Sequence, residues 1–244
     1  MRNIKITIEY DGTDYHGWQS QENAVSVQGV IEEALSKLTG ENINIIGASR
    51  TDTGVHAYGQ VANFFTESKI PAEKFFLAAN CQLPSDISIV GSEEVSLDFH
   101  SRFCAKGKRY KYLIYNSRSP SALLRNRAYH VPVSLDFEKM RKAALYIPGK
   151  KDFSTFKATG SSVKSSVRTI TGIELNKKEN VIEMVITGDG FLYNMVRIIA
   201  GTLVDVGNGR INSDDLGSII ESLDRTKAGR TAPAHGLYLM EVFY

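Results

Sequence analysis

Cysteine is scarce in this sequence: of 244 residues only Cys81 and Cys104 are cysteines. Neither sits in a C-x-x-C pair or in a cysteine–histidine spacing that would hold zinc, so neither a disulfide framework nor a metal is expected. No apolar run approaches the roughly 18 residues of a membrane span. The opening MRNIKITIEYDG alternates apolar and polar residues and lacks the continuous apolar stretch of a signal peptide, so a soluble cytoplasmic protein is expected. The G-x-G-x-x-G and Walker patterns are missing, and the five histidines (His16, His56, His100, His130 and His235) are too scattered for a metalloprotease pair. No nucleotide, metal or redox cofactor is therefore expected. Hydrophobic residues at 42% and charged residues at 23% exclude a disordered or collagen-like chain. The length suits one large domain or two small ones.

Acidic residues are absent between Asp98 and Asp136, where Arg102, Lys106, Lys108, Arg109, Lys111, Arg118, Arg125 and Arg127 all fall. That segment carries +8 in a chain of net +2, leaving −6 for the remainder. A second acid-free stretch, Phe153–Ile173, holds Lys157, Lys164 and Arg168. Charge separated in this way suits a phosphate-binding face, and equally a solvated strand.

Periodicity predicts a strand at Ile4–Tyr10, with Ile4, Ile6, Ile8 and Tyr10 on one face. A helix capped by Ser26 and stopped by Gly40 should follow, then a short strand at Ile43–Ala48 and a strand at Gly59–Phe65. A helix from about Pro71 and a strand at Ile87–Val95 complete a β-α-β-β-α-β order. The second half repeats it. A strand at Lys106–Tyr115 leads to a helix at Asp136–Tyr146, a hairpin of Arg168–Leu175 with Val181–Thr187, and an apolar helix at about Phe191–Val206. One more helix after Ser213 precedes a final strand with Leu237, Leu239, Glu241 and Phe243. The expected fold is α+β: two ferredoxin-like halves, residues 1–100 and 101–244, with mainly antiparallel sheets and a cleft between them.

The loop within Gly47–Gln60, GASRTDTGVHAYGQ, holds an arginine, an acid, a histidine and three glycines between two strands. Catalytic residues favour such loops on rigid scaffolds. Asp52, with Arg50 before it and Gly54 after, can carry chemistry or hold an Asx turn.

This loop resembles the G-A-G-R-T-D-A-G-V-H-A signature of the tRNA pseudouridine synthase A family. The resemblance continues through YDGTDYHGWQSQ (Tyr10–Gln21), DFHSRFCAKGKRYKYLIYN (Asp98–Asn116), DFSTFKATGSSVKSSVRTI (Asp152–Ile170), GFLYNMVRIIAGTLVDVG (Gly190–Gly207) and TAPAHGLYL (Thr231–Leu239). It implies isomerisation of uridine to pseudouridine on the 3′ side of the tRNA anticodon arm, by a homodimer that uses no cofactor. Such an enzyme must extrude the base from its stack, at a cost of a few kcal/mol.

The resemblance assigns catalysis to Asp52, as nucleophile or base, and pairs it with Arg197. An apolar pocket would otherwise favour the protonated acid. It makes Tyr110 the base-contacting tyrosine and Arg50 the side chain that fills the space of the flipped base. Leu237 is the implied floor of the uracil pocket. Lys106, Lys108, Arg109 and Lys111, interleaved with aromatics, are candidates for RNA contact. Five positions depart from the family pattern: Ser49 for Gly, Thr53 for Ala, Asn194 for His, Ile198 for Asn and Arg230 for Pro. Two other readings are an RNA-binding paralogue without catalysis and a hydrolase using Asp11, Asp14 and Asp52.

Overall fold

A computed structural model of the chain describes residues 1–160, 163 and 165–244; Lys164 of the second acid-free stretch lies outside the described residues. The first half runs β1 (Arg2–Tyr10), α1 (Val27–Thr39), β2 (Ile46–Gly47), β3 (His56–Thr66), α2 (Phe75–Asn80) and β4 (Ile87–Val95). The second runs β5 (Gly107–Asn116), β6 (Tyr129–Val131), α3 (Phe137–Ala144), β7 (Gly149–Asp152), β8 (Val167–Lys178), β9 (Val181–Gly188), α4 (Met195–Gly207), α5 (Leu216–Glu221) and β10 (Leu237–Phe243). Two compact units result, Met1–Lys106 with Tyr238–Tyr244 and Gly107–Leu237.

In the first unit β1 lies antiparallel between β3 and β4, and its Ile4, Ile6 and Ile8 are wholly buried, as alternation requires. β1 occupies one edge of β3, so β2 and the final strand share the other. β2 pairs antiparallel at Asn63 and Ala62, and β10 runs parallel beside His56 and Ala57. The final strand, expected with the second half, is thereby counted into the first unit. The buried face of α1 is Val27, Ile31, Ala34 and Leu35, its Ser26 cap accepts from the Gly29 N–H, and Gly40 ends it in the left-handed conformation. Replacing such a cap costs about 1 kcal/mol. The helix expected from Pro71 opens as a 3-10 turn at Ala72–Lys74.

The second unit pairs β5 with β9, β9 with β8 and β8 with β7, all antiparallel, and β6 joins β5 in parallel. β6 and β7 were not predicted. At three and four residues they are too short to show a period. The apolar helix begins four residues later than its pattern suggests, because Asn194 adopts φ 60° and a left-handed residue cannot continue a right-handed helix. Every residue of α4 except Arg197 is buried.

α4 is crossed by the segment Gly229–Ala232, backbone against backbone. A Cβ on Gly201 would stand 1.9 Å from the Arg230 carbonyl oxygen, while the Gly229 N–H donates to Thr202 Oγ1 at 2.9 Å and the Ala232 N–H to the Arg197 carbonyl at 3.1 Å. Gly201→Ala must push this strap away. We expect a loss of about 1–3 kcal/mol, the usual cost of overpacking, seen as a lower thermal midpoint by several degrees. An unchanged midpoint would mean that the strap shifts without penalty.

Candidate active site

The strands on either side hold the Asp52 loop at its ends. The Ala48 N–H donates to Val61 O at 2.8 Å, and Gln60 Nε2 donates to Ser49 O at 2.7 Å. Its centre is held by the segment that follows β1. The Thr51 carbonyl accepts from the Trp18 N–H at 3.0 Å, and the Thr51 hydroxyl lies 2.7 Å from that of Tyr10. The Asp52 carbonyl accepts from the Val55 N–H at 3.1 Å, closing a turn whose third residue, Gly54, has φ 76°. Main chain packs on main chain here too. A Cβ on Gly12 would meet Val55 O at 1.9 Å, and one on Gly17, itself at φ 86°, would meet Thr51 O at 2.5 Å. Asp52 is thus a partly exposed carboxylate on an anchored turn, between the buried Thr51 and the exposed Thr53, and Arg50 is exposed as well.

His56 and Asp11 form a support that sequence reasoning missed. His56 is 1% exposed, with its ring stacked on Tyr238 at 4.7 Å. Its Nδ1 lies 2.9 Å from Asp11 Oδ1 and 3.1 Å from the Gly12 nitrogen. One ring nitrogen cannot donate to the first and accept from the second together. The charge-assisted contact to the carboxylate is the stronger, which puts the proton on Nδ1. Asp11 Oδ1 also accepts from the Thr13 N–H at 3.1 Å and the Thr13 hydroxyl at 2.6 Å. This carboxylate, a candidate in the hydrolase reading, is committed to its own loop. No sequence signal links positions 11 and 56, because the β1–β3 pairing alone brings them together.

In the second unit, Arg197 stands in the first turn of α4, half-buried, and is clamped by its surroundings. Its Nε donates to Ala232 O at 2.8 Å and its Nη1 to Asn194 Oδ1 at 2.7 Å. Asn194 is one of the departures from the family pattern, and it orients this guanidinium directly. The cation affects its neighbours. Burial pushes the His235 imidazole below its ordinary range, opposed by a hydrogen bond with the Ala128 main chain and reinforced by the Arg197 charge. Burial also pushes the Tyr112 hydroxyl well up, with Arg197 opposing.

Along β5 the pleat sorts the expected RNA contacts. Lys108 shares the face of Tyr110 and Tyr112, whereas Arg109 and Lys111 lie on the other. Lys106 precedes the strand, and its N–H donates to Phe243 O at 2.8 Å. The two tyrosines differ. Tyr112 is fully buried and donates to Pro233 O at 2.7 Å, while Tyr110 is 8% exposed and meets Phe191 edge-on at 5.1 Å. Leu237, at the start of β10, is 7% exposed.

Comparison with known proteins places this architecture. The sequence profile described as tRNA pseudouridine synthase matches residues 6–104 and 143–244, which take in Asp52 and Arg197 but not Tyr110 or the basic strand. A tRNA pseudouridine synthase A from Acetivibrio thermocellus is 61% identical over 244 residues, covering all of both chains. Its counterpart from Ruminiclostridium cellulolyticum is 58% identical over 245 residues, again covering both completely. Among solved structures, a chain of an archaeal box H/ACA sRNP Nop10-Cbf5 complex aligns at 9% identity with a TM-score of 0.37, over 91% of this chain and 59% of that one. The α+β architecture, mainly antiparallel, is the pseudouridine synthase fold. With a matching profile across both halves and full-length relatives at this identity, the chain belongs to the tRNA pseudouridine synthase family.

Proposed function

We propose that this protein isomerises uridine to pseudouridine in tRNA, acting on the 3′ side of the anticodon arm as a homodimer. The reaction breaks the bond from ribose C1′ to uracil N1, turns the base, and rejoins C1′ to C5. C5 gives up its proton and N1 ends protonated, so atoms and electrons balance without an oxidant. In this reading Asp52 acts on the ribose or the base and must be ionised to do so. Arg197 is its partner cation, Tyr110 contacts the base, Leu237 floors the pocket and Arg50 fills the vacated space in the stack. The observation that carries the reading is the anchored turn under Asp52, inside the segment that matches the family. A nucleophile or base needs such fixed geometry.

The first test is pseudouridine mapping on an unmodified tRNA transcript. Asp52→Asn is nearly isosteric and neutral, so it should retain fold and tRNA affinity but yield no product. Turnover within about tenfold of the parent, roughly 1.4 kcal/mol of barrier, would remove Asp52 from the chemistry.

Arg197→Lys tests the cation. An ammonium cannot serve both Ala232 and Asn194 and still present a flat pair of donors to a carboxylate. We expect loss of turnover with RNA binding kept. Wild-type turnover in the lysine variant would refute the pairing with Asp52.

The basic strand is tested by salt. Replacing Lys106, Lys108 and Lys111 together by Ala should weaken binding to all tRNAs alike. The slope of log K against log salt should flatten by about 0.7–0.9 for each phosphate that is no longer neutralised. An unchanged slope would leave these lysines as solvated surface.

A further inference from the structure

Beside the Asp52 loop, the first unit contains a cavity of about 230 Å³ to which the reaction scheme gives no role. Trp18 and Ile46 line it with Arg50, His100, Arg102 and Phe103, and among the described residues no carboxylate does. The residues around it differ sharply in exposure. Trp18 is 1% exposed, whereas Phe103 is 76% exposed. An aromatic ring left so far in water gains little from burial.

The segment that carries Phe103 is nonetheless firmly held. Asn3 Nδ2 donates to the carbonyls of Ser96 and Phe99, both at 2.9 Å. Asn63, which donates to Asn3 Oδ1 at 2.9 Å, accepts from the Ser101 N–H, also at 2.9 Å. The Ser101 hydroxyl donates to the Ile46 carbonyl, and Tyr244 Oη donates to Ser101 O at 2.7 Å. His100 Nδ1 accepts from the main-chain N–H groups of Arg102 and Phe103, at 3.2 and 3.3 Å, which leaves Nε2 as the protonated nitrogen. The His100 ring centroid is 4.2 Å from that of Phe103, and the Arg102 guanidinium carbon is 5.7 Å from the Phe103 ring. A fixed, exposed aromatic ring with a guanidinium beside it is what single-stranded nucleic acid stacks on. The cavity is smaller than sites for drug-sized ligands, so it suits one base.

We propose that this cavity is a holding site for one unstacked nucleotide of the RNA substrate, its base on Phe103 and its phosphate on Arg102. The inference rests on the tRNA reading above. Arg50 lies two residues from Asp52, so the captured nucleotide would flank the target and keep the strand open while the uridine is flipped.

Trp18 is the only tryptophan in the chain and reports on the cavity by fluorescence. Unmodified anticodon stem-loop RNA, titrated into the full-length Asp52→Asn protein, should quench it. Phe103→Leu in that background keeps apolar bulk but removes the π-face. It should weaken Kd by about 5- to 100-fold and abolish most of the quench. An abasic site at one nucleotide flanking the target should weaken the parent by a similar factor and leave Phe103→Leu indifferent. Parent-like Kd and quench in Phe103→Leu, or equal binding of every abasic RNA, would overturn the holding site while the enzyme reading stands, and would leave Phe103 to a protein surface. Failure of the parent protein both to bind this RNA and to form pseudouridine would overturn the enzyme reading itself, and the holding site with it.

Discussion

Both candidate catalytic side chains stand on main chain that is packed directly against other main chain. Under Asp52, the segment after β1 lies so close to the loop that no side chain fits at positions 12 and 17. Under Arg197, the strap at residues 229–232 lies on α4 where Gly201 leaves it room. Contact of this kind leaves little freedom for loop motion, since the interior is close-packed and small shifts meet hard repulsion. Hydrogen bonds then set direction within the space that the glycines define. A reaction that must rotate a detached base gains from such a frame, because only the substrate should move.

Arg197 shows how a charge is kept within an apolar element. It is the one residue of α4 that is not buried, and two of its protein partners are a main-chain carbonyl and an amide oxygen. Neutral acceptors of this sort orient a guanidinium without cancelling its charge. The side chain at position 194 supplies one of them where the family pattern has histidine. Other departures act through main chain. Ser49 accepts from Gln60 through its carbonyl, and Arg230 meets Gly201 through its carbonyl, while the Arg230 side chain turns to Asp205 at 3.6 Å. Main-chain roles of this type tolerate substitution.

Much of the fold was legible because strand alternation and helix caps are local. Ile4, Ile6 and Ile8 announced β1, Ser26 and Gly40 bracketed α1, and the apolar run in α4 could only be buried. The Asp52 loop was legible by its density of unusual residues, and its identity by resemblance. Local patterns could not place the short strands β6 and β7, the delayed start of α4 at Asn194, or β10 beside β3, because each depends on a neighbour distant in sequence.

Sequence alone therefore determined the class of fold, which follows from period, and through resemblance of its motifs it pointed to the family and to the candidate residues for acid–base or nucleophilic work. Tertiary structure decided what holds those residues. It brought Asp11 to His56 and laid residues 229–232 across α4. It tied the segment bearing Phe103 to Asn3 and Asn63. These are contacts between residues tens of positions apart, set by strand register and close packing. No local run of residues encodes them, because register and packing are properties of the assembled chain.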